Sequence, residues 1–282
     1  MHVPKAAGSA IIDGMLDVVR PMRRVRGFDR VLFGSFNRFD TLHPDVRRHI
    51  HLQPDTLPAD ADFIAGHFAL STILCRYPEA RLVTVLREPM SRLLSHWTFW
   101  RGDIGERMSH LGDWAPFRAI AHQRFGDFLG NPKIACQTDN LIVRMLLWPH
   151  PRIPDDAFIE SHDEQRLESE ALDRLRQFSH LNIVENPSLA ADLSAWLGAP
   201  VRIPVSNQTP QVAAWLTIRL DDELSAETWR LWRQRTRLDR RLWLHVASTA
   251  MPGVDAGELE AATQVRTVAR HAELLSRVRA SL

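Results

Sequence analysis

The chain has 282 residues, 45% hydrophobic and 24% charged, a globular composition long enough to bury a large core without disulfides or a structural metal. Its 35 Lys and Arg against 34 Asp and Glu leave a formal charge of +1, which excludes a global attraction to nucleic acid or to an anionic membrane and leaves only a local basic site for anions. No apolar run approaches the roughly 20 residues that span a bilayer, and Cys75 and Cys136 are too far apart for a C-x-x-C pair, which argues against a disulfide framework or a cysteine zinc site and for a reducing, cytoplasmic setting.

In chain order, Met1-His2-Val3-Pro4 reads as the end of a strand cut short at Met1, with its true start upstream, running straight into a loop. Ile11, Ile12, Met15, Leu16 and Val19 then recur at helical spacing, with Ser9 as the expected N-cap. Arg20 to Arg30 is rich in arginine, and the region from there to Leu57 shows no period and is assigned little structure. Ala61 to Ala65 leads into Gly66-His67-Phe68. Leu82 to Leu86 is a nearly continuous apolar run closed by Arg87-Glu88-Pro89, as expected of a strand buried on both faces of a parallel sheet. Pro89 suits the first turn of the next helix, whose apolar stripe is Leu93, Leu94, Trp97 and Trp100.

Further on, helices are expected over residues 140–148, 164–178, 188–197 with Gly198 as the stop, 221–247 and 258–280, and a short strand over 181–184. The Trp- and Arg-rich run from Trp229 to Trp243 mimics a nucleic-acid surface, but its leucine period fits an amphipathic helix with a solvated basic face better. Alternating strands and helices predict one α/β domain over 1–282, with a parallel sheet covered by helices on both faces and a mainly helical remainder over 101–282.

Chemistry concentrates near the N-terminus. Of all the basic residues only Lys5 and Lys133 are lysine, and Lys5 sits inside a small-residue loop between strand and helix, His2-Val3-Pro4-Lys5-Ala6-Ala7-Gly8-Ser9-Ala10. Such a loop lets backbone N–H groups close around a phosphate or sulfate, with the helix N-terminus adding positive potential and the lysine a point charge. The lysine precedes the glycine, so the spacing is not that of a Walker-type nucleotide loop. Taken alone, the loop could equally be a tight turn with an exposed lysine. Arg87 ends the second buried strand at the sheet edge where open α/β folds place ligands, and Ser91 and Ser95, four apart, share a face of the following helix. Arg87 alone could be a surface ion pair with Glu88 or Glu79, Ser95 alone an ordinary helix serine, and His67 alone one packed histidine among 13.

The loop HVPKAAGSA resembles the 5′-phosphosulfate loop of sulfotransferases that use 3′-phosphoadenosine 5′-phosphosulfate (PAPS). LVTVLREPMSRLLSHW, residues 82–97, resembles their second hallmark, a strand followed by L-R-[DE]-P-x-x-R-x-x-S, and Gly66-His67-Phe68 between the two is similar to the G-H-[FV] segment of carbohydrate sulfotransferases of the uronyl 2-O type. The resemblance covers about residues 1–100. It implies a P-loop-like sulfotransferase fold, PAPS as sulfuryl donor, no metal, and a hydroxyl acceptor on a carbohydrate or glycolipid. It further implies that Lys5 and the amides of Ala6, Ala7, Gly8, Ser9 and Ala10 hold the phosphosulfate, that Arg87 and Ser95 grip the 3′-phosphate, and that His67 is the general base. Asn207 and Thr209 are carried over as part of a loop covering the nucleotide, and the acceptor is expected against residues 20–60 and 100–135.

The sequence departs from the family pattern where Ala6, Ala7 and Ala10 replace hydroxyl or glycine residues, which removes side-chain hydroxyls and keeps the backbone donors. Two other classes stay open: a kinase-like phosphoryl transferase using the same loop, and a nucleotide-binding module without turnover. His49 and His51 would share a face if extended, but no third metal ligand accompanies them.

Overall fold

In the computed structural model, which describes residues 1–204 and 212–277, five short strands form two parallel ladders. Strands β1 (Arg24–Asp29), β2 (Ile50–His51) and β3 (Phe63–His67) run in the order β2-β1-β3, with Phe28 opposite both Ile50 and His67. Strands β4 (Val83–Leu86) and β5 (His180–Ile183) pair over their whole length. Residues 1–3 lie between the two ladders: the Met1 amine donates to the Val83 carbonyl at 3.0 Å and the His2 N–H to the Gly66 carbonyl at 3.0 Å. The strand expected at residues 1–4 forms no ladder of its own. Pro4 has no N–H to give, and Lys5 turns the chain into the left-handed region at φ 68°.

Between and after the strands come α1 (Gly8–Val19), α2 (Pro44–Arg47), α3 (Leu70–Arg76), α4 (Pro89–Arg101), α5 (Glu106–Ser109) and α6 (Ala115–Ala119). They continue with α7 (Phe125–Gly130), α8 (Ala135–Thr138), α9 (Leu141–Leu147), α10 (Glu164–Leu175), α11 (Leu189–Leu197), α12 (Ala226–Ala250) and α13 (Ala256–Ser276). Helices flank the strands, and the pleat of β4 shows how. Val85 points into an apolar cluster with Ile11 and Met15 of α1 and Leu189 and Leu193 of α11, whereas Leu82 and Leu86 join the main core with Leu93, Trp97 and Trp243. No helix among the described residues is long and apolar enough to cross a membrane.

Helix α4 is the hub. Its expected stripe, Leu93, Leu94, Trp97 and Trp100, is buried, but so are Ser91, Arg92, Ser95 and His96, because the helix is surrounded: α12 and α13 pack along it, α6 and the turn at 120–122 lie against it, and Phe128 of α7 meets the His96 ring. The Trp232 indole N–H donates to the Met90 carbonyl at 3.1 Å, and Thr98 and His271 of α13 are joined by a 2.9 Å bond. Glu88 caps α4, its carboxylate accepting from the Met90 and Ser91 N–H groups and from Gln264.

Three sequence expectations change. The stretch 24–29, assigned little structure and given to acceptor binding, is β1, in the middle of its ladder. Arg24 and Arg26 are exposed while Val25, Gly27 and Asp29 are buried, a period-two alternation that the arginines disguise. The N-cap of α1 is Ala7, not Ser9, which sits inside the first turn. The basic face of α12 is solvated only in part: Arg230, Arg233, Arg240 and Arg241 are exposed, but Arg237 and Arg241 reach Glu164, Arg241 also Glu168, and Arg240 Glu260, while Arg235, Trp232 and Trp243 are buried.

Candidate functional site

The loop from His2 to Ala7 carries two non-glycine residues at positive φ, Lys5 at 68° and Ala7 at 54°. Each costs of order 1–3 kcal/mol, and such strain concentrates at ligand clamps. The conformation starts α1 at Gly8 with no side-chain acceptor over its first turn. A helix start leaves its first N–H groups without intrahelical partners, so the Gly8, Ser9 and Ala10 amides remain available to an anion. Gly8 is required by packing, since a Cβ there would overlap the His2 ring. Ala6 is buried and Ala7 exposed, so the loop's apex faces solvent.

Two side chains from distant motifs grip this loop. The Arg87 Nη1, just past β4, donates to the Lys5 carbonyl at 3.1 Å. At the end of β3, His67 Nδ1 lies 2.8 Å from the His2 carbonyl oxygen. A carbonyl only accepts, so Nδ1 carries the proton and Nε2 presents its lone pair. Burial above all, with the Lys5 charge, takes the His67 imidazole down to about 4 against the upward pull of the His2 carbonyl, and the ring is neutral at pH 7.

Positive charge accumulates beside the loop. Among the described residues Lys5 and Arg87 form no ion pair, so Arg87 is not the surface pair with Glu88 or Glu79 that its neighbours suggest. The Lys5 ammonium rests 3.9 Å from the Phe99 ring centroid. Burial, then the charges of Arg87 and Arg118, lower it to about 8, with Asp103 pulling the other way. Arg118 is held by Asp103 and lies over the Trp100 ring at 4.6 Å, its Nε buried without a partner. Near Arg87, the Glu185 carboxylate is occupied by the Glu88 N–H at 2.9 Å and the Trp243 indole at 3.2 Å.

Helix α4 carries further buried polar groups. Ser91 Oγ, all three guanidinium nitrogens of Arg92 and both ring nitrogens of His96 are buried with no hydrogen-bond partner among the described residues. Arg92 and His96, four apart, share one face of α4, and Ser91 lies on another, on the side of Glu88. The loop, its cations and His67 can hold a multiply charged anion and offer one oriented imidazole lone pair to an incoming proton donor.

The structure thus brings Lys5, Ala6, Ala7, Gly8, Ser9, Ala10, His67 and Arg87 together at one end of the parallel strands. Ser95 lies buried on α4, and no hydrogen bond among the described residues joins it to Lys5 or Arg87. Asn207 and Thr209 fall outside the described residues. His49 and His51 join no metal set: His51 bonds Thr56 at 3.3 Å, and among the described residues no group of three His, Cys, Asp or Glu side chains could hold an ion. Sequence reasoning missed Arg118, Asp103 and His96. Only His96 had a signal available, its place directly after Ser95. No protein-family model matches the chain, and no curated protein is found to be similar to it.

Proposed function

We propose that this chain is a PAPS-dependent sulfotransferase, with a P-loop-like fold of that type, that moves a sulfuryl group to a hydroxyl of a carbohydrate or glycolipid. The observation that carries the proposal is the double grip on the loop. The three segments that resemble sulfotransferase motifs are joined through two carbonyls, His67 to His2 and Arg87 to Lys5.

The residues present fit such a donor, because the helix start is uncapped and Lys5 and Arg87 form no ion pair with a carboxylate among the described residues. When bound, PAPS supplies an activated sulfuryl group on a 5′-phosphate and a separate 3′-phosphate. The Ala7, Gly8, Ser9 and Ala10 amides and Lys5 bind the phosphosulfate end, Lys5 offsetting charge on the bridging oxygen, whereas the Ala6 N–H is already donated to the Val3 carbonyl at 3.2 Å. Arg87, whose fork can engage two oxygens, serves the 3′-phosphate, and the part in that grip which the resemblance gives Ser95 has no hydrogen bond to Arg87 behind it. His67 takes the acceptor's proton at Nε2, with Nδ1–H anchored on the His2 carbonyl so that the ring keeps its orientation. Positioning and charge account for most of the rate in group transfers of this kind.

Calorimetry tests the donor site directly. The protein is expected to bind 3′-phosphoadenosine 5′-phosphate (PAP) at least about 10-fold more tightly than AMP in the absence of magnesium, from the added charge-assisted contacts of Arg87. Arg87→Ala is expected to erase the difference. Equal affinity of the wild type for the two nucleotides contradicts the proposal.

A further inference from the structure

Residues 1–3 bridge β3 and β4 only at the loop end of the gap between these strands. There the gap is one strand wide, because the His2 N–H reaches the Gly66 carbonyl and the Met1 amine the Val83 carbonyl, each at 3.0 Å. Towards the N-terminal ends of the two strands the same gap stays open as a cavity of about 630 Å³. Its walls include Ile64 and Ala65 of β3, Val83 and Val85 of β4, Met15 of α1 and Trp196 of α11. Phe63, Ile64 and Val83 are in consequence only half-buried, although they lie between the outer strands of the two ladders.

Both walls present strand edges. Along a parallel strand, alternate residues turn their N–H and C=O groups to opposite neighbours. Leu82 and Leu86 accept from Ser179 and Val184 on the β5 side, so Val83 and Val85 face the gap. The Phe63 N–H is donated to Arg23 on the β1 side, so Ile64 and Gly66 face it from β3. Among the described residues, the Met1 and His2 bonds are the only backbone bonds that cross the gap to these four residues. The two edges run the same way, β3 ending at His67 beside His2 and β4 leading to Arg87 beside Lys5. An apolar small molecule fills such a volume but leaves the N–H and C=O groups of both edges unpaired, whereas an extended apolar segment satisfies edges and walls together. The Met1 nitrogen lies in line with that segment. Burial takes its amine down to about 5, so its place suits a neutral peptide N–H.

We propose that the gap is the seat of one further parallel strand, an extended apolar segment of this chain joined to the Met1 nitrogen, which merges the two ladders into a single sheet with the new strand between β3 and β4. With His2 level with His67, about three residues ahead of Met1 reach the level of Phe63 at the rise of roughly 3.3 Å per residue of a parallel strand. The new strand leads straight into the Lys5 loop. It thereby anchors the His2 carbonyl that orients His67, a role independent of sulfuryl transfer.

The test compares the chain as it stands with the same chain carrying Lys-Val-Ile-Val ahead of Met1, and with a control extension, Lys-Gly-Ser-Gly, that has no side chains to fill the walls. Amide hydrogen exchange at single residues and thermal unfolding are read on all three. The apolar extension is expected to slow exchange of the Ile64, Gly66, Val83 and Val85 amides by about 10-fold or more relative to the control and to raise Tm. A second apolar extension, Lys-Leu-Val-Phe, repeats the measurement, so that the outcome does not hang on one choice of side chains. The free peptide acetyl-Lys-Val-Ile-Val-amide, added in excess to the unextended chain, is expected to protect these amides far less than the joined segment does. Exchange at the four amides unchanged by both apolar extensions, or slowed equally by the control, overturns the proposal. Equal protection by the free peptide overturns the connection to Met1 and gives the gap to a segment of another chain.

Discussion

His67 and Lys5 sit on opposite sides of neutrality, and the proposed chemistry needs both as they stand: an imidazole without its proton and an ammonium with one. The His67 ring, brought to about 4 by burial, loses its lone pair only as pH falls through that value, so activity is expected to decline on the acid side there. The Lys5 ammonium, brought to about 8, loses its charge as pH rises through that value, and kcat/KM of the free enzyme is expected to fall on the alkaline side. A rate profile that stays flat from pH 7 to well above the Lys5 value contradicts this assignment. Lys5→Arg, if active, is expected to push the alkaline limb beyond the measurable range. The two residues also differ in the kind of defect they cause. His67→Ala is expected to lower kcat by about 10²–10⁴-fold with PAP affinity nearly intact, whereas Lys5→Ala weakens both binding and turnover, because its charge meets the anion before and during reaction. Near-normal turnover in His67→Ala gives the proton-accepting role to another group.

At the level of elements, the sequence revealed what has a short-range cause. The apolar run ending at Leu86 is β4, Pro89 opens α4, Gly198 closes α11 at φ 74°, and the helical period at residues 11–19 is α1. The turn that carries Lys5 from residues 1–4 into α1 was equally legible, since small residues between a strand-like end and a helical period mark a tight connection. What stayed hidden depends on partners distant in sequence. Arg24 and Arg26 made β1 look like a charged loop, although a strand with one open face tolerates arginines there. Arg118 reaches the site from α6 only because Asp103 and Trp100 hold it. The burial of the polar side chains of α4 depends on α12 and α13, well over a hundred residues later, and on Phe128 of α7 against the His96 ring. Gly27 shows how tightly β1 is placed: a Cβ there would overlap the His49 carbonyl oxygen of the segment leading into β2. Gly27→Ala is accordingly expected to cost about 1–3 kcal/mol by overpacking, read as a lower urea midpoint with unchanged m. An unaltered midpoint means that β1 and β2 can part without penalty.

Across the whole molecule, buried neutral histidines tie stability to pH. His271, bonded to Thr98 between α13 and α4, is lowered by burial to about 3, and His67 to about 4, both below the ordinary 6.5 of the unfolded chain. The unfolded chain takes up protons below about 6.5 that these rings refuse, so their contribution is complete above that pH and is lost as pH falls towards 4 and 3. Each ring is expected to remove up to about 1.4 kcal/mol per pH unit in that window, and His271→Leu is expected to flatten the slope. Asp29 and Asp239, pushed up to about 6 by burial, act in the opposite sense over this range, so the comparison is between proteins: a pH dependence of unfolding in His271→Leu identical to the wild type contradicts the neutral, buried state of that ring. The α4–α13 contact and the two bonds that hold residues 1–3 between the ladders also join the candidate site to the rest of the fold, so substitutions in the site are to be read only in protein shown to be folded. The most direct measurement is transfer of labelled sulfate from PAPS to a panel of carbohydrate, glycolipid and phenol acceptors, run side by side with folded Lys5→Ala protein. Labelled product from a carbohydrate or glycolipid hydroxyl, without added metal and lost in Lys5→Ala, is the expected result. Absence of transfer to every acceptor by wild-type protein that also fails to bind PAP would contradict the account.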